Sequence, residues 1–278
     1  MAELGKINRL KIKRTREYGA HLDGGELGDI LLKHKEVPEG CQPGDEVEVF
    51  VYADQEGRPR ATTSLPCATV GEFAVLPVVA LTATGAYLDW GLEKDLFVPK
   101  SLQREPMVKG KSYLVYLFND EQSHRVTAST KIDAFLNREP PDYQEGEEVS
   151  LIIYEQTNLG YKAVINQAHG GIVYQNEVFR ELSIGQQLPG YIKKVREDQK
   201  IDLTLQKQGA QRVDAVSQTI LQVLIKNGGR VAVTDKTPPE EIYALFGVSK
   251  KTFKKAIGGL YKKRLITIAA DSITRVRT

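Results

Sequence analysis

The strongest constraint on how this chain folds is a unit that occurs three times before residue 210. Tyr18-Gly19-Ala20-His21-Leu22-Asp23 returns as Thr84-Gly85-Ala86-Tyr87-Leu88-Asp89 and, in weaker form, as Leu159-Gly160-Tyr161-Lys162-Ala163-Val164. The segments after each turn also return. Short apolar runs at 28–32, 94–99 and 170–174 lead through polar linkers into apolar runs at 46–52, 113–118 and 188–193. Each unit closes on a last run at 60–63, 125–128 or 201–205, and each opens on one near 4–11, 73–81 or 149–154. Repetition on this scale means tandem modules.

The runs are short, rich in β-branched and aromatic residues, and punctuated by Gly, Asp and Pro, which is the pattern of strands joined by tight turns. Five such strands per unit predict a small closed barrel of the OB type. The fold class is therefore mainly β, with three tandem five-stranded barrels at 1–66, 67–139 and 140–209 (the third degenerate), followed by a separate α+β domain at 210–278. With 41% hydrophobic and 27% charged residues the composition is that of an ordinary globular protein. No run approaches the roughly 18 apolar residues of a membrane span, and the first residues are charged, so the reading predicts a cytoplasmic protein with no membrane partner. Cys41 and Cys67 have neither a CxxC partner nor a nearby His, so neither a zinc site nor a disulfide framework is expected.

Charge divides the chain. From residue 210 onward there are 13 Lys or Arg against 5 Asp or Glu, a balance of +8, while the first 209 residues hold 25 against 31, a balance of −6. A basic end on a mildly acidic body points to a polyanion partner for that end. The body has its own basic run in Lys6, Arg9, Lys11, Lys13, Arg14 and Arg16, which reads equally as a lysine-guarded strand edge.

The last segment is helical first. Val213, Val216, Ile220, Val223 and Leu224 keep a three-to-four spacing that Asn227-Gly228-Gly229 stops. Pro238-Pro239-Glu240-Glu241 opens a short helix with Ile242, Leu245 and Phe246 expected inward. Ser249 caps a third helix reaching about residue 263, and 265–269 with 273–276 read as a terminal hairpin. That order is a winged helix. On the third helix Phe253, Ala256, Ile257 and Leu260 share one side, with Lys251, Lys254, Lys255 and Lys262 on the other. Gly258 and Gly259 interrupt it at roughly 1 kcal/mol each relative to alanine. A helix after a tight turn is the reading element of helix-turn-helix proteins, and lysines there contact phosphates without sequence choice.

These residues carry a resemblance. The aromatic-Gly-Ala-aromatic turn Tyr18-Gly19-Ala20-His21, met in part by Thr84-Gly85-Ala86-Tyr87, is similar to that of S1 RNA-binding domains. Together with the helix Phe253-Lys254-Lys255-Ala256-Ile257-Gly258-Gly259-Leu260-Tyr261-Lys262, nearly the whole chain resembles the bacterial conserved virulence factor B family. The resemblance implies a bacterial regulatory protein that holds single-stranded RNA, with no catalytic centre. It implies base-stacking or backbone contacts at Tyr18, His21, Arg58 and Arg60 in the first module and at Tyr87, Phe97 and Arg125 in the second. The third has Leu159 and Lys162 at the aromatic positions and is expected to stack poorly.

Enzymatic readings find little support. His21, His34, His124 and His169 fall in different units without metal-ligand spacing, and no nucleophile or phosphate-loop motif is present. No enzyme, cofactor or metal is expected. The function predicted is RNA-binding control of gene expression, post-transcriptional or transcriptional, with DNA a second ligand for the winged helix. The competing reading is a protein- or ribosome-docking scaffold with little RNA affinity of its own.

Overall fold

The computed structural model describes residues 1–54, 56–178, 181–206 and 210–276, with side chains from 216 onward in the last segment. The junction at Lys207-Gln208-Gly209 and the side chain of Val213 lie outside the described residues. The chain divides into two compact units, 1–137 and 138–278, each described by itself below.

Each repeat folds into a closed barrel of five strands. The first is built from β1 (Lys6–Arg16), β2 (Gly19–Asp23), β3 (Asp29–Lys33), β4 (Glu46–Ala53) and β5 (Pro59–Thr62), in the order β1-β2-β3-β5-β4. The second uses β6 (Phe73–Leu81), β7 (Gly85–Leu88), β8 (Leu96–Pro99), β9 (Ser112–Asn119) and β10 (Val126–Ser129). The third uses β11 (Glu148–Thr157), β12 (Gly160–Ile165), β13 (His169–Tyr174), β14 (Gln187–Val195) and β15 (Ile201–Thr204). In all three the third and fifth strands pair in parallel and the first closes antiparallel onto the fourth. This is the OB-type connectivity.

The recurring glycine has a steric cause. A Cβ on Gly19 would sit 2.0 Å from the Leu32 carbonyl oxygen, one on Gly85 2.3 Å from that of Val98, and one on Gly160 2.1 Å from that of Val173. Only hydrogen fits where the neighbouring backbone passes this close. The carbonyl just before each glycine, at Tyr18, Thr84 and Leu159, accepts the N–H of His34, Lys100 and Gln175 at 3.1, 2.9 and 3.0 Å. The first strand of each barrel also carries a bulge, between Ile12 and Arg14, Val78 and Ala80, and Ile153 and Glu155. A bulge bends the strand and lets it serve both β-neighbours. It also accompanies the extension of β1 and β11 to Arg16 and Thr157, past the apolar runs near 4–11 and 149–154.

The barrel interiors are filled by alternate residues, such as Leu22, Ile30, Leu32, Val49 and Val51 in the first and Leu151, Ile153, Ala163 and Leu203 in the third. Phe50 points the other way. It leaves the first barrel and joins the core of the second, edge-on to Trp90 with ring centroids 5.5 Å apart. The Asn119 side-chain amide donates to the Leu4 carbonyl at 3.0 Å, and Val70 N–H donates to Gly5 O at 2.8 Å. Barrels 1 and 2 are therefore joined by packing as well as by chain.

The C-terminal domain comprises α1 (Ala210–Lys226), β16 (Arg230–Val231), α2 (Pro239–Phe246), α3 (Lys250–Lys262), β17 (Ile266–Ile268) and β18 (Ile273–Arg275). Its sheet has the order β16-β18-β17, so the expected hairpin gains a third strand of two residues, too short to leave a periodic signal. Val216, Ile220 and Leu224 of α1 pack on Ile242, Phe246, Phe253, Ile257 and Leu260. Leu245 corrects the expectation for α2, being 44% exposed. A helix of eight residues buries a narrow stripe, here Ile242 and Phe246 one turn apart, and Leu245 lies off it.

Candidate nucleic-acid interface

On barrel 1 the site begins at a tight hairpin. Arg16 pairs with Gly19, so β1 and β2 are joined by Glu17 and Tyr18 alone. At the turn tip Tyr18 is 59% exposed. Its ring stands edge-on to His21 at 5.7 Å, and its hydroxyl lies 3.1 Å from His21 Nε2, which fixes both rings relative to the barrel. The register then extends the site across four strands. His21 on β2 is flanked by Arg14 on β1 and Leu31 on β3, and Leu31 by Arg60 on β5.

The same register gives the equivalent strip on the other barrels. On barrel 2 it reads Ala80, Tyr87, Phe97, Thr127, with Phe118 beyond Thr127 on β9. Tyr87 and Phe97 are half-buried against each other, centroids 5.0 Å apart. Arg125, exposed, precedes Thr127 by two residues and so lies on the same side of the chain as it enters β10. On barrel 3 the strip reads Glu155, Lys162, Ile172, Asp202. Lys162 pairs with Glu155 at 2.9 Å, and Arg196 pairs with Asp202 at 2.9 Å and donates to the Tyr174 hydroxyl. Tyr161 is inside the barrel core and Leu159 stands 63% exposed at the place of Tyr18.

Electrostatics separate paired from unpaired cations. Arg58 Nε and Arg60 Nε each lie 3.0 Å from Asp54 Oδ2, and Arg58 also reaches Glu56. Desolvation pushes the Asp54 carboxyl upward, but hydrogen bonds from the Arg58 and Glu56 backbone and from both guanidinium groups outweigh it and hold the group at about 2. Arg58 and Arg60 are thus fixed in position and partly neutralised. Lys13 and Arg14 share Asp29 at 2.8 and 2.6 Å, and the hydrogen bond from Lys13 holds that carboxyl below its usual range. Lys11, Arg16 and Arg125 have no acidic partner among the described residues.

In the winged helix the Ser249 hydroxyl caps α3 by accepting from Thr252 N–H at 3.3 Å. The helix buries Phe253, Ala256, Ile257 and Leu260 and turns Lys251, Lys254, Lys255 and Lys262 to solvent. Lys254 pairs with Asp235 at 3.2 Å, while Lys251, Lys255 and Lys262 have no acidic partner among the described residues. Lys251, Lys255, Gly258 and Lys262 follow a four-three-four spacing and form one stripe along the helix. A Cβ on Gly258 would meet nothing within 4 Å. The glycine therefore does not serve internal packing, which leaves a low point in the middle of the cationic stripe.

Among the described residues no group of three His, Cys, Asp or Glu side chains is placed to hold a metal ion, and no helix is long and apolar enough to cross a membrane.

Tandem OB-type barrels followed by a winged helix define a modular protein of the nucleic-acid-binding class. The S1 domain family model matches residues 4–64 and the CvfB-like winged helix domain model matches residues 218–274. The chain is 26% identical to Conserved virulence factor B of Staphylococcus epidermidis, across 98% of this chain and 94% of the relative. It is 29% identical to YitL of Bacillus subtilis, across 93% and 89%. A solved multidomain protein with nucleic acid binding domains from Streptococcus pneumoniae covers 98% of both chains at 25% identity, with a TM-score of 0.43. Over nearly its whole length the chain is thus similar to Conserved virulence factor B proteins, and its last domain to the CvfB-like winged helix domain.

Proposed function

We propose that this protein binds single-stranded RNA through barrels 1 and 2 and the α3 stripe, and that it acts through that binding in post-transcriptional or transcriptional control of gene expression. The observation that carries the reading is the barrel 1 strip, in which a solvent-facing tyrosine and a histidine held by it stand among Arg14, Arg16 and Arg60. Exposed rings stack on bases of any sequence and cations follow the backbone. Barrel 2 adds Tyr87, Phe97 and Arg125. Barrel 3, whose strip is flanked by Glu155 and Asp202, serves as a spacer that positions the winged helix. The S1 domain match, which spans the whole of barrel 1, agrees with this reading. The proposed domain limits remain 1–66, 67–139, 140–209 and 210–278, and duplex DNA is the second ligand for α3.

The test is a fluorescence titration of labelled single-stranded RNA at two salt concentrations. Binding is expected to weaken steeply as salt rises. Tyr18→Ala with His21→Ala is expected to weaken it by about 1–3 kcal/mol per base that stacks there. Replacing Lys251, Lys254 and Lys255 by Ala is expected to flatten the salt slope by about one unit for each phosphate the helix ceases to hold. RNA affinity that is absent at every salt concentration overturns the reading in favour of a protein-docking scaffold.

A further inference from the structure

Barrels 1 and 2 enclose a cleft of about 700 Å³ that adjoins the barrel 1 strip. Leu31 and Arg60 of that strip line it, and the register adds one more position, because Arg60 pairs with Tyr52 on β4. Tyr52, half-buried on the cleft wall, lies 13° from parallel with Phe50, whose ring meets Trp90 of barrel 2 edge-on. With neighbouring strands about 4.8 Å apart, Tyr52 is about 14 Å from His21 around the barrel wall. The opposite wall is formed by segment 90–94, which joins β7 to β8, the two strands that carry Tyr87 and Phe97. Trp90 Nε1 donates to the Lys94 carbonyl at 2.7 Å and so shapes this segment. Phe97 follows Lys94 by three residues, about 10 Å of strand. The cleft therefore reaches from one aromatic strip towards the other.

Inside it two cations converge on one point. Lys33 and Lys35 of barrel 1 each bring Nζ towards the same oxygen of Glu93 on barrel 2, at 3.7 and 3.8 Å. Both distances are longer than a hydrogen bond and all three side chains are more than half exposed, so the contact is worth little and an anion that fits better displaces it. Lys94 is exposed and has no acidic partner among the described residues. Asp54 and Glu56, also on the cleft, are already answered by Arg58 and Arg60.

We infer that this cleft is the passage by which one RNA strand crosses from the barrel 1 strip to the barrel 2 strip, a phosphate taking the place of the Glu93 carboxylate between Lys33 and Lys35 and Lys94 holding another. A phosphodiester has two unesterified oxygens and so answers two lysines at once. Glu93, on an exposed turn, then swings to solvent. The inference rests on the proposed RNA binding and deepens it: the ligand is a strand long enough to span both barrels, and Glu93 competes with that strand for the lysines.

Uridine oligonucleotides of about 4 and about 16 nucleotides, the limits of what one OB-type barrel takes, titrated onto the full chain test the passage. The quantity read is the ratio of the longer strand's affinity to the shorter's, because one strip satisfies the shorter strand. Lys33→Ala with Lys35→Ala and Lys94→Ala should lower that ratio by about tenfold and take about two units from the salt slope of the longer strand. Glu93→Gln, which releases two lysines, should raise it by about two- to fivefold at low salt. A control that changes Lys109, Lys111 and Lys226 to Ala, three exposed lysines that do not line the cleft, should leave it near the wild-type value. A ratio unmoved by the triple variant, or moved equally by the control, overturns the passage while RNA binding stands. So does a Glu93→Gln protein that binds the longer strand no tighter than the wild type. Failure of both strands to bind at any salt concentration overturns the RNA binding itself and the passage with it.

Discussion

Asp54→Asn isolates the charge that organises the Arg58 and Arg60 corner. The substitution keeps an oxygen able to accept the backbone N–H groups of Glu56 and Arg58, which both reach Oδ1 at 3.0 Å, and removes only the negative charge facing the guanidinium groups. A carboxyl held at about 2 against an ordinary 3.8 is worth about 2 kcal/mol of folding stability at neutral pH. Asp54 is itself 12% exposed, but Arg58 is more than half exposed, and solvent screening brings the expected loss to about 1–2 kcal/mol. The sign follows from the depressed folded value: the contribution is complete above 3.8 and disappears as pH falls through about 2, with about half remaining at pH 3. Urea unfolding read by Trp90, the single tryptophan, measures this at pH 7, 5 and 3. The gap between wild type and Asn should narrow by about half between pH 5 and pH 3. RNA binding should tighten at low salt, because two arginines lose their counter-charge. A gap unchanged at pH 3, or no gap at pH 7, refutes the assignment of Asp54 as the anchor.

Phe50→Ala removes a fully buried ring that belongs to barrel 1 by chain and to the core of barrel 2 by packing. It should cost about 3–5 kcal/mol and shift Trp90 emission to the red, and an unchanged emission spectrum would show that the ring does not seat the indole. Gly160→Ala places a Cβ 2.1 Å from the Val173 carbonyl and should disrupt barrel 3, seen as accelerated proteolysis beyond residue 138; wild-type resistance would contradict the steric account. Gly258→Ala should stabilise α3 by roughly 1 kcal/mol, since nothing opposes the new methyl group, while weakening nucleic-acid binding. A more stable variant with undiminished affinity would mean that no backbone approaches the helix there.

The barrels were legible in the sequence because the strands are short β-branched and aromatic runs, each opening turn has its glycine, and the pattern occurs three times. The winged helix was legible for similar reasons: Ser249, Gly247 and the Phe253 to Leu260 stripe mark α3 locally. Features set by register could not be read. The bulges at the first strand of each barrel decide that Arg14 flanks His21 and that Glu155 flanks Lys162, and a bulge leaves no mark on composition. The capture of Arg58 and Arg60 by Asp54 depends on how the β4 to β5 turn closes, and Phe50 joins the core of barrel 2 only because two barrels meet there. Leu245 was misplaced for a related reason, because hydrophobicity names candidates for burial and helix phase chooses among them.

The three strips, set in one register, show how a single scaffold takes on different surface roles. The glycine, the carbonyl it frees and the bulge are retained in every barrel, because changing any of them costs the fold. The four strip positions lie outside the hydrophobic cores and differ in all three copies. Barrel 1 sets Tyr18 and His21 among arginines that Asp29 and Asp54 hold, barrel 2 pairs two rings side by side, and barrel 3 has no ring in its strip and closes it with two internal ion pairs. An ion pair already made inside the protein must be broken before either partner can serve a phosphate, a cost that Arg14 and Arg60 of barrel 1 share, but only barrel 3 has no ring in its strip on which a base could stack. Nucleic-acid affinity along this chain should therefore fall from the first barrel to the third and return at α3, where Lys251, Lys255 and Lys262 stand without acidic partners among the described residues.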